Sequence, residues 1–128
     1  MAQDAPLRLI DFGLSRRHRP ADADMSDGVG TPYYMQPGVL RGKYDRSCDV
    51  WSVGIVAYIL LAGYPPFNGS DDCEIQRSIL EGNLQFDEGL WGALSKDARD
   101  FVAGLLRADS SGITAADDEL RHPWIAHA

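Results

Sequence analysis

The stretch that decides the fold is "CDVWSVGIVAYILLAGYPPF", residues 48–67. Apolar side chains occupy most of its positions, and we therefore expect a helix over Asp45–Ala62 that is apolar on nearly every side. Such a helix must be covered all round by the rest of a protein. The run is shorter than the ~20 residues that a membrane span needs, and Pro65 and Pro66 follow it. It predicts a buried helix at the centre of one core.

Composition and charge describe a folded chain. The 128 residues are 45% hydrophobic and 24% charged, a balance typical of a globular domain rather than a disordered one. The formal net charge of −7 argues against a nucleic-acid surface and against an anionic-membrane surface, because both repel a net anion. We therefore expect partners that are proteins or a metal-bound nucleotide.

The cysteines and the first residues indicate the compartment. Cys48 and Cys73 lie in predicted helices and lack Cys-x-x-Cys spacing, which favours a reduced intracellular chain over a disulfide scaffold. The opening "MAQDAPLRLIDFG" has no apolar run long enough for a signal peptide. We expect a cytoplasmic protein without a membrane anchor.

The residues before Gly38 predict a short strand and a long loop. "PLRLI", residues 6–10, alternates and ends in a β-branched residue, as a short strand does. From Gly13 to Gly38 the sequence shows no sustained period and is dense in Gly, Pro, Asp and Ser. Loops of this length inside a compact domain are commonly functional.

Three further helices are expected after the apolar stretch. One has Ser70 as its N-cap and Gly82 as its stop. The next has Ser95 as its N-cap and is amphipathic. Its apolar residues, at i, i+3, i+4, i+7, i+8 spacing, are Ala98, Phe101, Val102, Leu105 and Leu106. The last opens at Thr114 with a capping-box-like Thr-x-x-Asp pattern and is expected to stop at His122-Pro123.

Several short motifs follow one another along the chain, and their order and spacing are more specific than any one of them alone. They are Asp11-Phe12-Gly13, Gly30-Thr31-Pro32-Tyr33-Tyr34, Pro37, Asp49-Val50-Trp51-Ser52-Val53-Gly54, Pro65-Pro66-Phe67 and His122-Pro123-Trp124. With these the chain resembles the C-terminal lobe of a eukaryotic Ser/Thr protein kinase over essentially its whole length. "LIDFGLS" and "ITAADDELRHPW" are most similar to the calcium/calmodulin-dependent and plant-type calcium-dependent kinase group.

The resemblance implies a mainly α, protein-kinase-like fold made of one partial domain over residues 1–128. This partial C-lobe would contain a short strand, the activation segment and then about four helices. The chemistry of the family is transfer of the γ-phosphoryl group of ATP to a protein Ser or Thr, with Mg²⁺ on the nucleotide. ATP, Mg²⁺ and a protein substrate are therefore the implied cofactors and partner.

The resemblance also implies roles for single residues. Asp11 would hold Mg²⁺ on the nucleotide phosphates, since Mg²⁺ prefers hard oxygen ligands. Phe12 would be a packing switch and Gly13 a flexible joint. Asp49 would accept backbone hydrogen bonds from the catalytic loop. The floor of a pocket would receive the substrate residue that follows the phosphoacceptor. This pocket floor would be formed by Gly30, Thr31, Pro32, Tyr33 and Tyr34.

Ser26 is a candidate phosphorylation site in the activation segment. It stands between Asp24 and Asp27, whose carboxylates could already supply the negative charge that a phosphate would add. Calcium control is not implied for these residues, because no autoinhibitory helix, calmodulin target or EF-hand follows Trp124.

Plainer interpretations compete with some of these assignments. Taken alone, Asp11 is a turn residue and the tyrosine pair a packed loop. "SRRHR", residues 15–19, could be an import signal or anion patch, although a solvated loop fits better. "DADMSDG", residues 22–28, resembles a calcium loop only superficially, because its glycine falls one place late. The histidines share no ligand spacing, so a metal site built from them is not expected; they are His18, His122 and His127.

The parts of a kinase that precede the Asp-Phe-Gly motif are not in these 128 residues. A kinase of this pattern needs a Gly-rich loop, a strand lysine and a His-Arg-Asp catalytic loop, and only residues 1–10 precede Asp11. We therefore expect this chain alone to bind nucleotide poorly and to lack phosphotransferase activity. The alternative is a non-catalytic kinase lobe that binds proteins. The uncovered central helix should expose an apolar surface through which the chain could associate.

Gly38 and Gly112 depart from the family pattern together. The family ends this segment with Ala-Pro-Glu, whereas this chain has Gln36-Pro37-Gly38. The resemblance pairs that glutamate with a buried arginine, and Gly112 stands at the arginine's position. Loss of both partners avoids the cost of about 3–5 kcal/mol that removal of one partner of a buried ion pair carries. We expect Gly38→Glu to destabilise the chain and a second change, Gly112→Arg, to recover part of the loss.

Overall fold

The computed structural model describes residues 6, 8–19, 22–28, 30–107 and 116–126. Within these ranges two 3-10 turns, Phe12–Leu14 and Pro32–Tyr34, precede the helices. The α-helices are α1 Pro37–Leu40, α2 Ser47–Ala62, α3 Asp72–Glu81, α4 Glu88–Trp91, α5 Lys96–Leu105, α6 Ala116–Glu119 and α7 Pro123–Ala126. The predicted mainly α architecture is confirmed, and α2, α3, α5 and α6 are the four expected helices.

The central helix α2 begins two residues later than predicted. The Asp45 carboxylate lies outside it and accepts a hydrogen bond of 2.8 Å from the Ser47 backbone N–H. Gly63 ends the helix at φ 79°, and its N–H donates to the Ile59 carbonyl. A left-handed residue after the last turn suits glycine, which has no Cβ to clash.

α2 packs closely against α5 because a glycine lies at their contact. A Cβ built on Gly54 would stand 2.7 Å from Leu105 Cβ and 2.9 Å from Leu106 Cδ2. The predicted apolar face of α5 is buried here, and its start is confirmed: the Ser95 hydroxyl accepts from the Ala98 N–H at 3.2 Å. The absence of a side chain at residue 54 thus sets the distance between the two helices.

Aromatic rings complete the core along one face of α2, on which Trp51 and Tyr58 lie seven residues apart. Trp51 stacks on Phe67 at 5.7 Å with nearly parallel planes, so the Pro-Pro-Phe segment folds back along the helix that ends at Gly63. Tyr58 contacts Trp91 of α4 at 4.9 Å between ring centroids, and its hydroxyl donates to the Gln85 carbonyl at 2.7 Å. Aromatic pairs at such distances add stability beyond the burial of their area.

The N-terminus of α3 is capped by Asp71 rather than by Ser70, so the predicted cap is wrong by one residue. The Asp71 carboxylate accepts from the Glu74 N–H at 2.9 Å, and the Glu74 carboxylate accepts from the Ser70 N–H and hydroxyl at 2.8 and 2.9 Å. The Asp71 side chain therefore caps the helix, while the Glu74 side chain binds the residue that precedes the cap. The hydrogen bonds from Ser70 lower the pKa of Glu74. Gly82 ends the helix as predicted.

The predicted strand over residues 6–10 is wrong for Pro6 and for residues 8–10, which are exposed and form no strand. An extended segment becomes a strand only when a neighbour pairs with its backbone, and no described segment does so here. The β pairing that the described residues contain is a single antiparallel bridge between Met25 and Tyr44.

The C-terminal end also differs from expectation. The helix that was expected to be the last, α6, ends at Glu119, three residues before the predicted stop at His122-Pro123. Pro123 then opens a further helix, α7, where its missing N–H costs nothing at a first helical position. Trp124 of α7 packs on Phe101 of α5 at 5.2 Å. Thr114, the expected start of the preceding helix, lies outside the described residues, as does Gly112.

One stripe of α2 is not covered by the described residues. Val53, Val56 and Leu60 are 55%, 46% and 79% exposed. They lie at i, i+3, i+7 and therefore share one face of the helix. The exposed apolar surface that the sequence predicts on this helix is thereby confirmed. None of the described helices has the length and apolar content to cross a membrane.

Candidate functional site

The Asp11-Phe12-Gly13 motif forms a tight and strained turn. Asp11 lies at φ 63° and ψ 70°, and it is the one non-glycine residue of positive φ in the described ranges. Such a conformation costs on the order of 1–3 kcal/mol, and residues that adopt it cluster at active sites and switch regions. The Asp11 carboxylate accepts weakly from the Gly13 N–H at 3.4 Å, and the Phe12 carbonyl accepts from both the N–H and the hydroxyl of Ser15.

Asp11 is compatible with the role that the resemblance implies. Its carboxylate is exposed and offers a hard oxygen of the kind that Mg²⁺ binds together with phosphates and water. The described residues contain no group of three or more His, Cys, Asp or Glu side chains that could hold a metal by themselves. The Phe12 ring is also exposed, so no packed position of the predicted switch is defined here.

The loop that contains Ser26 is attached by a backbone bridge to the connection between α1 and α2, residues 41–46. Met25 and Tyr44 exchange two hydrogen bonds of 2.7 and 3.0 Å, and Met25 is buried. The Tyr44 hydroxyl donates to the Asp27 carbonyl at 2.7 Å. Burial raises the pKa of Tyr44, and the charge of Asp27 raises it further. Ser26 is exposed between these two attachments.

Two exposed ion pairs flank Ser26. Arg16 contacts Asp27 at 3.2 Å and Lys43 contacts Asp24 at 3.4 Å. Exposed pairs of this kind contribute about 0–1 kcal/mol each. Both carboxylates that flank Ser26 therefore have a basic partner within 3.4 Å.

The floor segment, residues 30–34, is a turn that lies on α2 and α3. Gly30 adopts φ 131°, which side chains rarely tolerate, and Pro32 fixes φ at the first position of the 3-10 turn. The Tyr33 ring packs on the core, whereas the Tyr34 ring is 43% exposed. Thr31 is exposed and makes no capping hydrogen bond with its side chain. The segment thus buries one tyrosine and presents the other.

Two polar contacts join this part of the chain to α2. The Ser52 hydroxyl lies 3.0 Å from the Tyr34 carbonyl and 3.0 Å from the Cys48 carbonyl. The Gln36 side chain, only 2% exposed, donates through Nε2 to the Ser47 hydroxyl at 3.1 Å. A buried amide that is hydrogen-bonded in this way avoids the cost of lost solvation.

Gly38 is required by close packing of α1 against the next connection. Its carbonyl accepts from the Lys43 N–H at 3.0 Å, and a Cβ at residue 38 would stand 2.8 Å from the Lys43 carbonyl oxygen. The sequence suggested that this glycine marks a lost ion pair and adds backbone freedom. The structure adds a steric reason. The pairing itself stays a prediction, because Gly112 lies outside the described residues.

Asp49 is exposed in the first turn of α2. The Cys48 thiol lies 3.8 Å from its carboxylate, and burial, together with the charge of Asp49, raises the pKa of Cys48 to about 11. Nothing in the described ranges tests the predicted contact with a catalytic loop. No hydrogen bond in those ranges joins the Asp11 turn to the floor segment.

Five polar residues line a shallow recess of about 230 Å³. Its lining residues are Asp24, Gln36, Lys43, Tyr44 and Asp45. Hydrogen bonding from Ser47 lowers the pKa of Asp45, and the Ser47 side chain has a larger effect than its backbone N–H. Among the described histidines, His18 has ring nitrogens without a partner and His122 packs on Phe101; His127 lies outside the described residues.

Ser47, Ser52 and Tyr44 were not singled out by sequence reasoning. Each acts through a partner distant along the chain, and a serine within an apolar helix carries no signal of that partner. The one available hint is Gln36, a polar residue between two positions that pack inward. Its pairing could be guessed only after α2 and the floor segment are placed side by side.

The comparisons with known proteins agree with the motifs. The family described as "Protein kinase domain" matches residues 1–125. Calcium-dependent protein kinase 24 of Oryza sativa subsp. japonica is 45% identical over 124 residues, which are 97% of this chain and 24% of that protein. Calcium-dependent protein kinase 5 of Plasmodium falciparum is 39% identical over 122 residues, 95% of this chain and 21% of that protein. The chain thus spans about a quarter or less of these relatives.

Proposed function

Because this chain belongs to the protein kinase domain family, we propose that it supplies the activation segment and helical platform of a calcium-dependent-type Ser/Thr kinase domain. The chemistry of that domain is transfer of the γ-phosphoryl group of ATP to a hydroxyl of a protein substrate. Bound Mg²⁺ neutralises charge on the phosphates, and Asp11 is the carboxylate in this chain that would hold it. The floor segment, residues 30–34, receives the substrate.

The observation that carries this proposal is that the floor segment is fixed on the core while some of its side chains stay exposed. Tyr33 is packed on the core and the Tyr34 carbonyl is held by Ser52, while the Thr31 side chain and the Tyr34 ring remain exposed. A backbone fixed on a rigid helix with free side chains above it is suited to bind an extended peptide.

Peptide binding by the 128-residue chain tests this part directly. A fluorescent degenerate peptide pool with one fixed serine is titrated with the wild-type chain and with Tyr34→Ala. Tyr64→Ala serves as the control, since Tyr64 is 38% exposed and lies outside the floor segment. We expect binding that Tyr34→Ala weakens about tenfold, a loss of roughly 1.4 kcal/mol, and that Tyr64→Ala leaves nearly unchanged. Equal affinities for all three chains would overturn the assignment.

The 128 residues by themselves are proposed not to transfer phosphate. Phosphoryl transfer depends on positioning and electrostatic stabilisation by several groups, and these residues contain no His-Arg-Asp catalytic loop. Purified chain incubated with Mg-ATP and a serine-containing protein should show no turnover above that of the Asp11→Asn variant. Turnover that Asp11→Asn abolishes would refute the proposal.

A non-catalytic protein-binding lobe is the second candidate. The observation that favours it is the exposed stripe Val53, Val56 and Leu60, which a partner could cover together with the floor segment. The length of the native polypeptide separates the two functions. Detection of a longer protein with a Gly-rich loop and a His-Arg-Asp motif supports the kinase, whereas a native chain of these residues alone supports the binding lobe. The free thiols of Cys48 and Cys73 support a reducing, intracellular location for either.

A further inference from the structure

The Ser52 hydroxyl occupies a point where helix α2 and the floor segment meet. It lies 3.0 Å from the carbonyl of Cys48, one turn back in its own helix, and 3.0 Å from the carbonyl of Tyr34. A serine in a helix ordinarily donates to the carbonyl four residues earlier, and this contact alone would have no consequence outside the helix. One hydroxyl has one proton, so the two carbonyls compete for it.

The Tyr34 carbonyl depends more on the Ser52 hydroxyl for a hydrogen bond than the Cys48 carbonyl does. It lies at the end of the Pro32–Tyr34 turn, whose own backbone bonds use the carbonyls of Thr31 and Pro32. The Cys48 carbonyl, in contrast, belongs to a regular helix that supplies a backbone donor to it. Donation to Tyr34 therefore satisfies a carbonyl at a turn end, while donation to Cys48 is redundant.

We propose that Ser52 is a positioning residue for substrate docking: its hydroxyl holds the Tyr34 carbonyl and thereby sets the position of Thr31 and of the Tyr34 ring above α2. This inference rests on the proposed function, in which the floor segment receives a peptide. Ser52 touches no substrate itself and acts through the backbone of the segment.

A second contact supports the same geometry. The buried Gln36 amide is hydrogen-bonded to the Ser47 hydroxyl, so the chain on the far side of Tyr34 is attached to α2 as well. Ser47 and Ser52 are both on α2, and residues 34–36 lie between the two attachments. With Gln36 buried and fixed, the exposed part of the floor segment depends on Ser52 for its remaining polar attachment to the helix.

The test compares Ser52→Ala, which removes the donor, with Ser52→Thr, which keeps a hydroxyl. Ser78→Ala is the matched control, because Ser78 is a half-buried serine of α3 whose hydroxyl makes no hydrogen bond to any of the described residues. Each 128-residue chain is measured in two ways. Amide hydrogen exchange is followed at Tyr34, Met35 and Gln36 and, for comparison, along α5, and affinity is measured for the degenerate serine peptide pool.

We expect Ser52→Ala to speed amide exchange at residues 34–36 by about fivefold to tenfold, the effect of losing one neutral hydrogen bond, with α5 unchanged. Its affinity for the pool should fall by a similar factor. Ser52→Thr and Ser78→Ala should match the wild type in both measurements.

Two exchange results would overturn the inference. Unchanged exchange at residues 34–36 would show that the hydroxyl serves Cys48 alone, and an equal increase along α5 would show general destabilisation. Retention of full peptide affinity by Ser52→Ala, despite faster local exchange, would remove its role in docking. Failure of the wild-type chain to bind the pool would refute the proposed docking function, while the exchange data would still decide whether Ser52 holds the turn.

Discussion

Gly38 and Lys43 approach so closely that a Cβ on the glycine would stand 2.8 Å from the Lys43 carbonyl oxygen. The contact is with backbone, which cannot rotate away as a flexible side chain would. The Gly38 carbonyl also accepts a hydrogen bond from the Lys43 N–H, so α1 and the following connection cannot separate without breaking it. The glycine is therefore part of the packing between α1 and the connection that follows it.

Gly38→Ala should destabilise the chain by about 1–3 kcal/mol, because the added methyl group overpacks this contact. Gly104→Ala is the control, since Gly104 is in helix α5 and a Cβ there meets nothing within 4 Å; it should stabilise by roughly 0.5–1 kcal/mol. Urea denaturation measures both. If Gly38→Glu destabilises and Gly38→Ala does not, burial of a charge rather than packing explains the site.

Gly54→Ala should weaken the contact between α2 and α5. Its Cβ would approach Leu105 Cβ and Leu106 Cδ2 within 3 Å, and the helices would have to move apart at a cost of about 1–3 kcal/mol. Thermal unfolding should show a lower midpoint than wild type, in contrast to the gain expected for Gly104→Ala. A midpoint equal to that of the wild type would mean that the leucines can move aside without loss.

The two thiols should differ strongly in reactivity. Burial raises the pKa of Cys48 to about 11, so only about one molecule in a thousand carries its thiolate at pH 8. Cys73 is exposed. Alkylation of the native chain at pH 8 should modify Cys73 first, and Cys73→Ser should leave the native chain almost unlabelled. Rapid modification of the Cys73→Ser chain without denaturant would contradict the raised pKa of the half-buried Cys48.

Asp45 should contribute stability that is lost in acid. Hydrogen bonding from Ser47 lowers its pKa below the ordinary value of 3.8, and the folded state therefore binds fewer protons than the unfolded state. The contribution is complete above the unfolded pKa and disappears as the pH falls through the lower folded pKa. Asp45→Asn should thus flatten the decline of stability on the acid side of pH 4. Parallel stability curves for the two chains between pH 6 and 3 would rule this out.

The exposed stripe of α2 should bind a hydrophobic dye. Leu60→Lys should reduce the fluorescence of the bound dye at little cost in stability, because Leu60 is already solvent-accessible. Ile55→Lys serves as a contrast, since Ile55 is fully buried and an unpaired charge at that position should unfold the chain. A monodisperse wild-type chain that binds no dye would show that this surface neither binds apolar molecules nor mediates association.

Sequence reasoning succeeded where a local pattern determines structure. The apolar run predicted α2 to within two residues, and the spacing of Ala98 to Leu106 predicted the buried face of α5. It failed where neighbouring side chains compete for the same role, as Ser70 and Asp71 do at the start of α3. It also failed for residues 8–10, because a strand depends on a partner that alternation within one segment does not reveal.

The sequence by itself determined the family and the helical class, because ordered motifs and helical periodicity are properties of neighbours along the chain. Tertiary structure alone decided how that segment is held. Ser52 and Tyr34 are eighteen residues apart, and Gly38 owes its place to a carbonyl five residues away. Hydrogen-bond partners and close contacts between separate elements depend on distances in space, which neither composition nor spacing encodes.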